Sequence, residues 1–167
     1  SARSAFSTRP ALAGSVSGVR IDMKGLVLSG GYGTRLRPLT HTGPKQLIPI
    51  ANKPNILYCI EDLRDAGITE IGIILGNVMP EKVQEFLGDG SSFGVRFTYI
   101  VQGEPKGIAH AVNCAKEFMG ADPFIVYLGD NLLKNGIRAI PKKMIDNNAD
   151  CVISLMPVKE PQRYGIA

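Results

Sequence analysis

Residues Leu26 to Leu47 read LVLSGGYGTRLRPLTHTGPKQL. A short aliphatic run ends on Gly30, Gly31 and Gly33, and Arg35, Arg37 and Lys45 follow at once. An apolar run stopped by glycines suits a strand leaving the carboxyl end of a sheet. Without a Cβ, the glycine backbone turns sharply and brings successive N–H groups against a ligand, and such concave amide clusters hold phosphate oxygens. The arginines add charge, and Lys45 can approach as a compact cation. The segment therefore reads as a cradle for a polyphosphate. It is not a Walker A loop, since no Gly-Lys-Ser/Thr follows, nor a dinucleotide fingerprint, since Leu36 stands where the third glycine would be. In isolation, a GxG segment is more often a plain turn with solvated arginines.

Outward from this loop, short apolar runs alternate with helical patterns. EIGIIL reaches Gly76, VRFTYIV alternates with Val95, Phe97, Tyr99 and Val101 on one face, FIVYL reaches Gly129, and CVISLM reaches Pro157. Each is expected to be a strand, the continuous runs being covered on both faces. Between them, Ile56, Ile60 and Leu63 form a helical stripe that starts after Pro54 and stops at Gly67. Val83, Phe86 and Leu87 form another after Pro80, and Ile108, Val112 and Ala115 a third between Gly107 and Gly120. A fourth helix is expected over residues 137–147. Strands alternating with helices predict a doubly wound α/β fold, with a mostly parallel sheet and helices on both faces. In such sheets ligands sit outside the carboxyl ends of the strands, so the loops after Ser29, Val101 and Leu128 should share one rim.

The chain has 167 residues, 44% of them hydrophobic, with a net charge of +4. That suits one globular domain and an anionic small molecule. No Lys/Arg run with interleaved aromatics points to nucleic acid, and no apolar run approaches the ~20 residues that span a bilayer. Cys59, Cys114 and Cys151 are odd in number and widely spaced, which predicts reduced thiols in a cytoplasmic protein, packed as small core residues. Residues 1–22 are rich in Ser, Ala and Arg and read as a tag-like or disordered extension, leaving residues 23–167 as the domain.

GGYGTRLRPLT followed by GPKQLIPIANKP resembles the signature of the sugar-1-phosphate nucleotidyltransferases, and Lys45-Gln46-Leu47 looks most like the glucose-1-phosphate thymidylyltransferases. The likeness continues through Gln102-x4-Gly107-Ile108-Ala109, Leu128-Gly129-Asp130-Asn131 and EPQRYGIA. It implies the Rossmann-like nucleotidyltransferase fold and a reaction in which a sugar 1-phosphate oxygen attacks the α-phosphorus of a nucleoside triphosphate and releases pyrophosphate. Such a transfer needs positioning and charge neutralisation more than covalent help. By resemblance Arg35 neutralises the departing pyrophosphate, and Lys45 bridges the α-phosphate and the sugar phosphate. Leu28, Gly30, Gly31, Gly33, Thr34, Gln102 and Gly107 hold the nucleotide, with Leu28 beneath the base and the Gln102 amide pairing with a pyrimidine edge. Gln46 and Gly165 are the expected sugar-binding positions.

Asp130 follows FIVYL on the rim, where a carboxylate can bind Mg²⁺ and hold phosphates in line. A Gly-Asp-Asn segment is otherwise an ordinary turn; the glycine loop upstream together with the matched family pattern favours the metal. Thymine and uracil differ by one methyl, worth only about 1–3 kcal/mol in a pocket, so dTTP and UTP both remain open. His41 and His110 stand alone in the sequence and read as surface or helix histidines. The members this chain resembles are longer: they carry a Glu-Lys-Pro segment and a second metal-ligand aspartate past the YGIA stretch. The expectation is therefore a C-terminally incomplete enzyme, compatible with a homo-oligomer. The alternative is a catalytically weak nucleotide-binding or regulatory module.

Overall fold

The computed structural model describes residues 23–31, 33, 36–41, 43–160 and 162, with only the backbone of residue 41. Strand β1 (Lys24–Ser29) leads through the glycine loop to a two-stranded hairpin, β2 (Pro49–Ile50) and β3 (Lys53–Pro54). Then come α1 (Asn55–Asp65), β4 (Glu70–Leu75), α2 (Pro80–Leu87), β5 (Arg96–Val101), α3 (Ile108–Cys114), α4 (Lys116–Met119), β6 (Phe124–Leu128) and α5 (Ala139–Asp146). The main sheet has the order β5-β4-β1-β6, and each neighbouring pair is parallel. The expected doubly wound layer is present.

Alternation along the strands divides the core in two. Val27, Ile71, Ile73, Leu75 and Tyr127 pack with Ile56, Ile60 and Leu63 of α1 and with Val83 and Leu87 of α2. Leu26 and Ile74 pack on the opposite face with Ala111, Ala115 and Met119 from α3 and α4. Gly72 in β4 makes room there: a Cβ on it would stand 2.9 Å from the Phe118 ring. The split follows from chain direction. Right-handed crossovers that step from β1 to β4 to β5 lay their helices on one face, and the return from β5 across the sheet to β6 lays its helices on the other. The reversal between β1 and β6 opens a crevice at their carboxyl ends.

Helix α1 ends as its sequence demands. Gly67 takes φ +88°, its N–H donates to the Arg64 carbonyl at 2.8 Å, and the Ile68 N–H donates to Leu63 at 3.0 Å. This 6→1 and 5→2 pair satisfies carbonyls the helix leaves open, while Leu63 and Ile68 close over it from the core. In the β2–β3 hairpin, Ala51 and Asn52 both adopt positive φ, 48° and 65°, as a two-residue turn with the twist of the flanking strands requires.

Four expectations are corrected. Residues 151–156 form no strand, and Ile153, Leu155 and Met156 are exposed. An apolar run becomes a strand only where a neighbour accepts its hydrogen bonds, and among the described residues β6 pairs with β1 alone. Nor is β6 covered on both faces: Tyr127 packs into the core, whereas Phe124 and Val126 on the other face are exposed. On the helices, Phe86 and Ile108 face outward, and Ala111 takes the buried place in α3. Of the free thiols, Cys59 is buried, Cys114 half-buried and Cys151 exposed. No helix among the described residues is long and apolar enough to cross a membrane.

Candidate functional site

The loop after β1 is shaped by its glycines. Gly31 sits at φ +99° and Gly33 at φ +61°, conformations that cost a side-chain-bearing residue roughly 1–2 kcal/mol. The Gly33 carbonyl accepts from the Leu36 N–H and from the Thr40 hydroxyl, both at 3.0 Å, which closes the loop on itself. A Cβ at Gly33 would stand 2.8 Å from the Thr40 methyl, so that closure excludes any other residue there.

A short 3₁₀ turn, Lys45–Leu47, then brings the chain back over the crevice, with the Leu47 N–H donating to Pro44 at 3.0 Å. Gln46 is only 2% exposed, and its amide donates to the Ser29 carbonyl. That bond ties the turn to the end of β1. Braced in this way, Lys45 extends its Nζ to 2.7 Å from Asp130 Oδ2, across the gap between the β1 and β6 loops. The same Nζ would be 3.8 Å from a Cβ at Gly31. Gly31, Lys45 and Asp130 are thus brought together at the switch point, although 85 residues separate the two charged partners.

The other flank of the glycine loop meets β5. Gln102 is 9% exposed, and its Oε1 lies 2.8 Å from where a Cβ of Gly30 would be. Its Nε2 donates to the Gly107 carbonyl at 3.4 Å and lies 3.3 Å from His110 Nδ1. Gly107 adopts φ +100° at the start of α3, with open space around the position of a Cβ. Leu28 is partly buried beside this flank. His110, read from sequence as unaccompanied, therefore has Gln102 on one ring nitrogen and Cys114 Sγ at 4.0 Å from the other. The signal was weak, a histidine at the third position of the helix, and only the return of β5 beside α3 gives it meaning.

Gly76, beyond the end of β4, was likewise not singled out. A Cβ on it would stand 3.0 Å from Gly30 Cα and 3.2 Å from the Gly31 nitrogen, so the glycine loop rests directly on this position. Thr34, Arg35 and Gly165 lie outside the described residues.

Two groups of α1 have their ionisation shifted by burial. Burial, helped by the charges of Asp62 and Asp130, pushes the Cys59 thiol up to about 12, which keeps it protonated and removes it as a nucleophile. Burial also raises the Asp62 carboxyl above its ordinary value, against the 2.8 Å hydrogen bond it accepts from the Tyr127 hydroxyl. A cavity of about 350 Å³ lined by Ile50, Tyr58, Asp62 and Leu133 includes none of the residues of the crevice, which is an open rim.

Comparison with known proteins agrees with this geometry. The family model described as nucleotidyl transferase matches residues 24–167. This chain belongs to the nucleotidyl transferase family. Among curated family members, it is 57% identical over 145 residues to the low-salt glycan biosynthesis nucleotidyltransferase Agl11 of Haloferax volcanii, covering 87% of this chain and 41% of that protein. It is 46% identical over 145 residues to the glucose-1-phosphate thymidylyltransferase of Streptomyces griseus, with the same coverage of each. A solved Bacillus anthracis protein described as a glucose-1-phosphate thymidylyltransferase, in complex with sucrose, superposes with a TM-score of 0.71 at 40% identity, over 74% of this chain and 50% of that one. The chain thus spans about two fifths of the length of these two curated relatives.

Proposed function

We propose that this nucleotidyl transferase chain moves a nucleotidyl group from a nucleoside triphosphate to a sugar 1-phosphate, with dTTP and glucose 1-phosphate as the favoured pair and UTP as the alternative donor. The observation that carries this reading is the Lys45–Asp130 pair, 2.7 Å across the switch-point crevice and against the bare backbone of Gly31. It sets a cation and an anion where a triphosphate entering the glycine loop would meet them. The names of the Streptomyces and Bacillus relatives support the thymidylyl reading, while that of the Haloferax relative leaves the sugar open.

In this reading the amides of Gly30, Gly31 and Gly33 hold phosphate oxygens, with Thr34 and Arg35 adjoining them. Gln102 faces the base, Gly107 lets it approach, and Leu28 lies beneath it. Lys45 leaves Asp130 for the α-phosphate and the incoming sugar phosphate, whose two like charges it screens. Gln46, whose buried amide keeps the Lys45 turn in place, and Gly165 are assigned to the sugar. Among the described residues, no group of three or more His, Cys, Asp or Glu side chains could hold a metal by itself. Asp130, 47% exposed and on the rim, fits a Mg²⁺ shared between one carboxylate and ligand phosphates, the usual mode for this ion. When bound, that ion would supply positive charge to the phosphate oxygens. We place the reaction in the cytoplasm, where Cys114 and Cys151 stay reduced.

The test is pyrophosphate release by the intact protein with Mg²⁺, glucose 1-phosphate and each of dTTP, UTP, GTP and ATP. Turnover with a pyrimidine triphosphate is expected. Nucleotide-dependent melting shifts with no pyrophosphate from any of the four would replace the enzyme with a nucleotide-binding module.

A further inference from the structure

We propose that His110 is a positioning residue that fixes which end of the Gln102 amide is presented to the base, and so selects bases whose ring nitrogen carries a hydrogen. The proposal rests on the reading of Gln102 as the base-facing side chain. An amide has two donor hydrogens on nitrogen and an acceptor oxygen, and its two orientations nearly coincide in shape. Its surroundings decide which way it points.

Here one side of the amide meets a carbonyl, which can only accept, and an imidazole nitrogen, which accepts in one of its two neutral tautomers. Gln102 Nε2 lies 3.4 Å from the Gly107 carbonyl oxygen and 3.3 Å from His110 Nδ1. One amide hydrogen is taken by each. For Nδ1 to accept, the neutral ring carries its hydrogen on Nε2, and that nitrogen faces Cys114 Sγ, a weak acceptor, at 4.0 Å. Turning the amide over would set Oε1 against the Gly107 carbonyl, an acceptor whatever the tautomer of His110, in a site where Gln102 is 9% exposed. The strand end gives no slack, because the Gln102 N–H donates to the Leu75 carbonyl at 3.1 Å.

The consequence is a carbonyl held outward. Oε1 lies over Gly30, 2.8 Å from the place of its missing Cβ, and among the described residues no donor is paired with it. A fixed acceptor at the loop suits a base edge with a ring N–H, as in thymine, uracil or guanine. It opposes cytosine and adenine, whose ring nitrogens at that edge are themselves acceptors. dTTP and dCTP differ little in size, so their ratio reads the polarity of the edge. His110 touches no substrate in this scheme; it acts through Gln102.

The experiment measures dTTP and dCTP binding by calorimetry, and their KM and kcat, for the intact wild-type protein, His110→Phe and His110→Gln. Removing the ring acceptor in His110→Phe should cut the dTTP preference about tenfold, the value of one hydrogen bond, through KM and not kcat. The KM for the sugar phosphate and the melting midpoint should hold. His110→Gln, whose side-chain oxygen can accept in place of Nδ1, should keep most of the preference. A His110→Phe protein with the wild-type dTTP:dCTP ratio, or one that loses both nucleotides equally, overturns the proposal. A second measurement needs no nucleotide: ¹⁵N spectra of the imidazole should show Nδ1 unprotonated in the free protein. A hydrogen on Nδ1 sinks the inference and leaves the proposed activity standing, whereas a wild-type protein that binds neither nucleotide takes down the activity and the inference together.

Discussion

The glycine loop is flanked by two polar contacts of opposite build. On the β5 side Gln102 is neutral and 9% exposed, and its nitrogen lies against the Gly107 carbonyl and His110 Nδ1. On the β6 side Lys45 and Asp130 are charged, with side chains 18% and 47% exposed, and are joined to each other. A neutral amide can be set in place before any ligand arrives, since its hydrogen bonds persist when the ligand binds. Charges destined for phosphate cannot be committed so firmly. A partly exposed ion pair is worth about 0–1 kcal/mol, enough to keep Lys45 over the crevice and little enough to give it up. Firm holding suits recognition, and loose holding suits the groups that must change partners.

The strongest way to break this contrast is Lys45→Ala. In the proposed reaction it removes the cation that faces Asp130 across the crevice, and kcat in the pyrophosphate assay should fall at least ~100-fold. The melting midpoint should move little, because the lost pair is weak. An unchanged kcat would mean that the charged flank takes no part in the chemistry. Gln102→Ala attacks the other flank. There the expected loss is about tenfold in KM for dTTP, with kcat changed far less, since a base contact is made equally before and during transfer. If kcat fell as steeply as for Lys45→Ala, the division between holding and reacting would be wrong.

Gly76→Ala sharpens the comparison, because its Cβ would press on Gly30 and Gly31, which serve both flanks. Overpacking of this kind costs about 1 kcal/mol or more, so nucleotide affinity by calorimetry should weaken about fivefold. dTTP and dCTP should weaken alike, unlike the effect expected at His110. Ala51→Gly is the control that touches neither flank. Ala51 sits at φ +48°, and glycine there should raise stability to urea by about 0.5–1 kcal/mol without altering kcat.

What could be read from sequence was what neighbours along the chain decide. The stop of α1 at Gly67 depends on hydrogen bonds within a few residues, and β1 and β4 carry continuous apolar runs because both their faces are covered. The run at 151–156 has the same composition, but a strand also needs an adjacent ladder, and composition does not supply one. The site divides in the same way. Lys45 and Asp130 were legible as types, a cation after a glycine loop and a carboxylate after a strand, while their 2.7 Å contact depends on the order in which β1 and β6 are laid side by side. Gln46 was legible as part of a motif but not as a buried brace, because its partner, the Ser29 carbonyl, is a backbone atom. His110 became visible only once β5 and α3 were placed together.

Gly76 has a bearing on engineering. Residues 26–47 look like a transferable cassette, yet their bend leans on a bare Cα contributed by the neighbouring strand. A chimera carrying the segment on a foreign scaffold should cup an anion only if the acceptor protein also offers a glycine at the tip of the adjoining strand.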